Sequence, residues 1–269
     1  MTTLITVSDI VKVLNYLVPE ELALEWDNVG LQVGNWNKCV KNILISLDLT
    51  KQVLNDAARL NINLIITHHP LIFSPLKKIT SLDSIGSLVI ELIRKDICLY
   101  VAHTNLDIVK DGVNDVLAKK IGLCNVEYLV DDANSRDKGL GRVGQLAEQM
   151  KLGAMGERVK KCLGLTQIRL IGNRENEIKN VAVCSGSGAS LINLVARKKV
   201  DLYVTGDVKY HEARLAEEIG LLVIDIGHFG SEVVVLPVFA ESLRSEFKRC
   251  KLDVEIIVHN QEVDPFWYI

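Results

Sequence analysis

NILISLDLTKQVLNDAARLNINLIIT, residues 42–67, decides the fold because it returns without a gap as NVAVCSGSGASLINLVARKKVDLYVT at residues 180–205, an offset of 138. Asn42, Asn55, Ala58, Arg59, Leu64 and Thr67 meet identical residues at Asn180, Asn193, Ala196, Arg197, Leu202 and Thr205. Ile43, Ile45, Ile62 and Ile66 meet Val181, Val183, Val200 and Val204, so apolar positions fall on apolar positions. Each copy reads as an apolar run of strand length, a segment of helical period and a second apolar run, the order of a βαβ unit. Both copies end on a threonine, after which His68-His69 in the first becomes Gly206-Asp207 in the second. A further offset of 125 superposes Ala102-His103 and Asp107 on Gly227-His228 and Glu232, so each copy continues as strand, histidine, three residues, acid. A duplicated α/β lobe follows. Each copy ends its strands in polar residues at the carboxyl edge, where open α/β sheets place their ligands.

Around this repeat the same periodicities predict strands at 43–49, 62–67 and 97–102, with helices at 51–60, 83–95 and 111–121. Ser8 is expected to cap a helix carrying Ile10, Val11, Leu14, Leu17 and Val18 on one side, stopped by Pro19. A weaker middle section, 126–178, predicts strands near 126–130, 141–147 and 168–172 and a helix at 152–163. The alternation then resumes with strand 180–184, helix 189–198, strand 201–205, helix 209–219, strand 221–226, a helix from 236 and strand 253–258. The expectation is an α/β chain with largely parallel sheets in two similar, interlinked lobes, 1–125 and 126–269, the C-terminal segment being free to pack back on the first lobe.

Composition bounds the function. The 269 residues are 48% hydrophobic and 24% charged, ordinary usage for a globular chain with a sizeable core. Lys and Arg number 31 against 34 Asp and Glu, a net charge of −3 with no long run of either sign, which argues against a dedicated nucleic-acid or membrane surface. Aromatic residues are 5% and scattered, so they make no platform for a run of unpaired bases. No stretch reaches the ~18 apolar residues of a membrane span, and Met1–Val18 lacks a cationic region ahead of an apolar block, so a cytoplasmic location is expected. The six cysteines, at 39, 98, 124, 162, 184 and 250, stand singly without a CxxC pair and read as reduced, mostly buried thiols.

Three motifs carry metal chemistry. In Ile65-Ile66-Thr67-His68-His69-Pro70 a hydrophobic strand ends in two adjacent histidines. On an extended strand they would point to opposite faces, serving one metal each unless the backbone turns. His228-Phe229-Gly230-Ser231-Glu232 follows the apolar run 221–226, and a helix would put His228 and Glu232 on one face. Imidazole with carboxylate is a donor set that Zn, Fe or Mn accepts, and a bridging glutamate can hold two ions at once. In His103-Thr104-Asn105-Leu106-Asp107, Asp107 is a candidate ligand and His103 a ligand, an outer partner or a proton shuttle. Each motif also has a plain reading, as a loop or helix cap or as satisfied histidines. Their convergence on strand ends, with four of the chain's six histidines, favours the metal.

Two further segments are candidates for the substrate. Ser185-Gly186-Ser187-Gly188 follows a strand and opens a helix, so its N–H groups could cradle an anion. Leu191 stands where a dinucleotide fingerprint needs a small residue, so no nucleotide cofactor is expected. Asp207 and His211, in Gly206-Asp207-Val208-Lys209-Tyr210-His211-Glu212, lie beside the same edge, facing a substrate or backing the metals, or simply starting a helix.

Taken with Glu25-Trp26-Asp27-Asn28-Val29-Gly30-Leu31-Gln32-Val33-Gly34, these motifs resemble the GTP cyclohydrolase I type 2 family, also called Ngg-interacting-factor-three-like, over nearly the whole chain. The resemblance implies two interlinked α/β lobes with a dinuclear metal centre at their junction, assembled as a ring-like homohexamer. It implies His68, His69, Asp107, His228 and Glu232 as metal ligands, with Glu232 bridging, and His103 and His211 flanking the metals as catalytic groups. The short middle section resembles the family's insertion-free form. The function implied is a hydrolase using two divalent ions (Fe, Zn, Mn or similar) on a nucleotide or other small anion. A non-catalytic metal-homeostasis or metal-insertion protein and an oligomeric partner-binding scaffold are the alternatives.

Overall fold

The computed structural model describes residues 4–131 and 139–267. In chain order the elements are α1 (Val7–Leu17), β1 (Gly30–Val33), β2 (Asn42–Ser46), α2 (Lys51–Arg59), β3 (Leu64–Thr67), α3 (Ser84–Arg94), β4 (Cys98–Val101), α4 (Thr104–Ile108) and α5 (Val113–Ile121). They continue as β5 (Leu123–Asp131), β6 (Gly139–Lys151), α6 (Leu152–Leu163), β7 (Arg169–Ile171), β8 (Glu177–Val183), α7 (Ile192–Arg197), β9 (Leu202–Thr205), α8 (Tyr210–Glu218), β10 (Leu222–Asp225), α9 (His228–Glu232), α10 (Leu236–Cys250) and β11 (Glu255–Val258).

Two compact α/β units result. The first comprises the chain up to Leu106 together with Leu236–Glu262, and the second comprises Asp107–Val235 with the residues after Glu262. This corrects the expected boundary at 125/126. α5 packs on β5 and β6 of the second unit, and α10 and β11 return to the first because β11 pairs in parallel with β2, Ile256 opposite Ile43.

The first unit's sheet runs β1-β4-β3-β2-β11, parallel except for β1, whose pairing with β4 is antiparallel. β3 and β4 are buried at every residue, the pattern of strands covered on both faces, and each such Leu or Ile contributes roughly 2 kcal/mol of apolar burial. α1 is capped two residues earlier than expected. Thr6, not Ser8, is its cap, because Thr6 and Asp9 satisfy each other's backbone N–H groups in a capping box. α3 is capped by Asp83, whose carboxylate accepts the Gly86 N–H at 2.6 Å.

The second unit's sheet runs β5-β6-β8-β9-β10-β7. Only β8, β9 and β10 are mutually parallel; β5, β6 and β8 pair antiparallel, as do β7 and β10. The largely parallel sheet expected from the alternation is therefore half right here, because the weakly patterned middle section forms a long antiparallel ribbon rather than a βαβ unit. The helix expected at 189–198 is a 3-10 turn, Gly188–Leu191, followed by the short α7.

The duplication is exact in register. Ile43 pairs Leu64 and Ile45 pairs Ile66 in the first unit; the positions 138 residues on, Val181 with Leu202 and Val183 with Val204, pair identically in the second. The third strand is offset by 124 rather than 125, since Leu64 pairs Cys98 while Leu202 pairs Leu222. The extra residue falls between Asp225 and His228, where Gly227 takes a positive φ of 73°.

Of the six cysteines only Cys98 and Cys184 are buried; Cys39, Cys124, Cys162 and Cys250 are exposed, on loops, a half-solvated strand and outer helix faces, which corrects the expectation of mostly buried thiols. Among the described residues no helix is long and apolar enough to cross a membrane.

Candidate metal-binding residues

In the first unit the parallel register sets Ser46, Thr67 and Val101 side by side, so β2, β3 and β4 end level. That brings Asp48, His68-His69 and His103 to one edge. β3 stops at Thr67, whose hydroxyl donates to the carbonyl of His69 at 2.8 Å, and the chain turns there. The turn cancels the strand alternation that would have sent His68 and His69 to opposite faces: their ring centroids are 5.1 Å apart. His103 lies 5.1 Å from His68 and 5.7 Å from His69 by the same measure. One ring nitrogen from each of the three falls within 4.8 Å of the others.

Each ring is oriented through Nδ1. His68 Nδ1 meets the Ala102 carbonyl at 2.9 Å, His69 Nδ1 meets Asp48 Oδ1 at 3.0 Å, and His103 Nδ1 meets Asp27 Oδ1 at 2.9 Å. A proton on Nδ1 makes Nε2 the nitrogen that coordinates, and a carbonyl or carboxylate behind the ring is the usual backing of a metal-ligating histidine. The three imidazoles therefore fit a borderline divalent ion such as Zn or Fe.

Asp27, in the Glu25–Gly34 motif, is the outer partner of His103. Its buried carboxylate accepts from His103, from the Thr104 N–H at 3.0 Å and from the Thr104 hydroxyl at 2.5 Å. Burial alone would raise its pKa; these donors outweigh it and hold the group at about 2. Asp27 is thus a fixed anion behind His103. The only signal for Asp48 was its place just past a strand end.

In the second unit His228 and Glu232 lie four apart on α9, with Nε2 and Oε2 3.1 Å from each other, as the helical spacing predicts. His228 Nδ1 meets Asp207 Oδ2 at 2.7 Å. Asp207 takes a left-handed backbone, φ 53°, which aspartate tolerates. It occupies the repeat position of His69 but serves as the carboxylate behind a histidine, the task that Asp27 performs for His103.

Asp107 is buried in α4. The Ser185 hydroxyl reaches its Oδ1 at 3.4 Å, and Asn114 bridges the two: its amide donates to the Asp107 carbonyl at 3.1 Å and its Oδ1 accepts the Ser185 N–H at 2.8 Å. Just beyond, the Arg142 guanidinium, 2% exposed, is paired with Asp115 and donates to the Val109 carbonyl at 3.0 Å. No sequence signal marked Asn114 or Arg142, because a buried polar residue reads like an exposed one in a single chain.

The Ser185–Gly188 loop has a structural use. The Ser185 and Gly186 N–H groups both go to protein acceptors, Asn114 and the Ser231 hydroxyl, the latter at 2.8 Å. Gly186 has φ +62°, and a Cβ on it would stand 2.3 Å from Glu232 Oε1. The Gly188 carbonyl accepts the Tyr203 hydroxyl at 2.8 Å. His211 is exposed on α8 with its ring against Tyr210, 5.3 Å between centroids, and belongs to none of the candidate metal clusters among the described residues.

Comparison with known proteins bears on the same residues. The model of the Duf34/NIF3 (NGG1p interacting factor 3) family matches residues 5–265, a span that contains every motif described above. The chain belongs to the DUF34/NIF3 family. Among its relatives is a GTP cyclohydrolase 1 type 2 homolog of Lactococcus lactis subsp. lactis, 39% identical over 266 residues, covering 98% of this chain and 99% of that one. A crystal structure of a Bacillus cereus protein related to NIF3 superposes with a TM-score of 0.94 at 28% identity, covering 100% of both chains. Reduced HcgD from Methanocaldococcus jannaschii superposes with a TM-score of 0.81 at 36% identity, covering 96% of this chain and 99% of that one. The NIF3 fold thus holds the candidate donors on two α/β units of one chain.

Proposed function

We propose that this NIF3-family chain binds two divalent metal ions through His68, His69, Asp107, His228 and Glu232, Glu232 bridging, and hydrolyses a small anionic substrate such as a nucleotide. The observation that carries the reading is the backing of the histidines: His68, His69, His103 and His228 all engage Nδ1 with a carbonyl or carboxylate, which leaves Nε2 as the nitrogen for a metal or a proton. Four histidines oriented alike are more than structural packing requires. Divalent ions held there supply Lewis acidity and lower the pKa of a bound water.

The chain's own residues then divide the work. Asp27 and Asp207 hold His103 and His228 in one tautomer and orientation. His103, beside the two ligand imidazoles, carries a proton between substrate and solvent, and exposed His211 relays at the rim. With a net charge of −3 no broad basic face draws an anion in, and the Ser185 and Gly186 N–H groups are already engaged, so the substrate's charge is left to the metal ions, and Asp207 beside the loop can accept only from a neutral donor of the substrate. On the family resemblance alone, we further propose that the chain acts in the cytoplasm as a homohexamer. Imidazole and carboxylate donors, with no cysteine in the candidate clusters among the described residues, favour hydrolysis over metal transfer.

Elemental analysis of metal-replete protein beside the His69→Ala, Glu232→Ala double variant tests the metal. Substoichiometric metal in the unaltered chain would overturn the reading. A screen of nucleotides and phosphoesters tests hydrolysis, and turnover that survives in the double variant would assign it to another site or a contaminant.

A further inference from the structure

Two large aromatic rings stand exposed beside the first unit's histidines. Trp26 is 57% and Phe73 53% exposed, their ring centroids are 5.8 Å apart at 44°, and Trp26 meets the edge of His103 with centroids 6.1 Å apart. Exposed aromatics on mobile loops would mean little, but these are fastened. Trp26 precedes Asp27, whose carboxylate is held by His103 and Thr104. Phe73 follows Ile72, whose N–H donates to Gln32 Oε1 at 2.9 Å and whose carbonyl accepts from Gln32 Nε2 at 2.9 Å and from Asn28 Nδ2 at 2.5 Å. Side chains of the segment that carries Trp26 thereby tie down the segment that carries Phe73.

We infer that Trp26 and Phe73 form a stacking wall for the ring of a planar, aromatic-bearing anion whose charged group lies toward His68, His69 and His103. The inference rests on the proposed metal-dependent reading and names the substrate class it takes. The tilt of 44° excludes a sandwich between parallel rings; it makes an oblique corner, in which a flat ligand stacks on the face of one ring and packs against the other at that same tilt. A sugar phosphate without an aromatic base would leave both aromatics in water. Trp26 is one ring from His103, so a ligand stacked on it reaches the histidines with a short polar arm, as a nucleoside monophosphate has.

The test compares adenosine 5′-monophosphate with ribose 5-phosphate, which carry the same phosphate and differ in the ring. Both are titrated by calorimetry into the full, metal-replete chain and into its Trp26→Ala, Phe73→Ala and Trp26→Phe variants, with metal content measured in each. The expected result is that adenosine monophosphate binds the unaltered chain at least about tenfold more tightly, the scale of one stacked base. Trp26→Ala and Phe73→Ala should erode that preference while ribose 5-phosphate affinity and metal content stay put, and Trp26→Phe should keep most of it. Equal binding of the two probes, binding of neither, or a preference that survives both alanine variants would overturn the wall. So would a Trp26→Ala variant whose only change is its oligomeric state, since the rings would then be a contact between copies. Low metal in the unaltered chain would defeat the metal reading separately, and the ring preference would still be read from the same titrations.

Discussion

His103 Nδ1 and Asp27 Oδ1 lie 2.9 Å apart, joining the end of β4 to the segment before β1 and fixing which nitrogen His103 presents. Asp27→Asn keeps the size of the side chain but removes the charge, so the imidazole loses its anchor. Turnover is expected to fall roughly 10²–10⁴-fold, the scale of a misplaced general acid–base group, while metal content holds. Steady-state kinetics beside elemental analysis measures both, and unchanged turnover would show that His103 needs no such support.

The same carboxylate has an acid signature. Its pKa is lowered from 3.8 to about 2, so folding favours the ionised form. The resulting stability is present above the unfolded value and is lost as pH falls from about 4 through about 2, a contribution of roughly 2 kcal/mol. In metal-free protein, the stability gap between the unaltered chain and Asp27→Asn should be widest at neutral pH and close toward pH 2 in urea titrations. A gap that is constant with pH would contradict this.

Gly186 and Gly164 share a left-handed backbone, φ +62° and +68°, yet a Cβ meets Glu232 Oε1 at 2.3 Å in the first and nothing within 4 Å in the second. Gly164→Ala should cost only the backbone strain, about 1–2 kcal/mol. Gly186→Ala should cost more and also lower metal content, because Glu232 must move. Equal effects of the two in melts and metal analysis would remove Gly186 from the account.

Arg142 is buried with Asp115 as its counter-charge and carbonyls of Gly139, Gly141 and Val109 around it. Asp115→Ala leaves the guanidinium uncompensated and should destabilise by roughly 3–5 kcal/mol. Arg142→Met, which removes the charge and keeps the volume, should cost less. The order of the two denaturation midpoints decides it.

Burial pushes the Cys184 thiol up to about 12 and raises that of Cys98. With four exposed cysteines, a thiol reagent at mild alkaline pH should titrate four groups quickly in the native chain and the remaining two only after denaturation. Rapid reaction of all six would mean that the sheets open readily.

The repeat of 42–67 at 180–205 was enough to read two α/β units, because strand register repeats exactly wherever the apolar positions do. The candidate ligands were legible for the same reason: chemistry collects at the carboxyl ends of strands, and strand ends are visible as the last apolar residue before a polar motif. The unit boundary was not. β11 joins β2 across more than 200 residues of chain, and α5 sits with β5 and β6, pairings that no local pattern records.

By itself, then, the sequence determined the duplication, the strand ends and the imidazole and carboxylate donors, since each is written in residue type and spacing over a few turns of chain. Tertiary structure alone decided that the chain turns after Thr67 so that His68 and His69 lie near each other and His103, that Asp27 and Asp207 back two histidines, and that the Ser185 and Gly186 N–H groups go to Asn114 and Ser231. Hydrogen-bond partners are settled by which buried donors and acceptors the packed sheets bring within 3 Å or so of each other, and that proximity is a property of the folded chain, absent from the order of its residues.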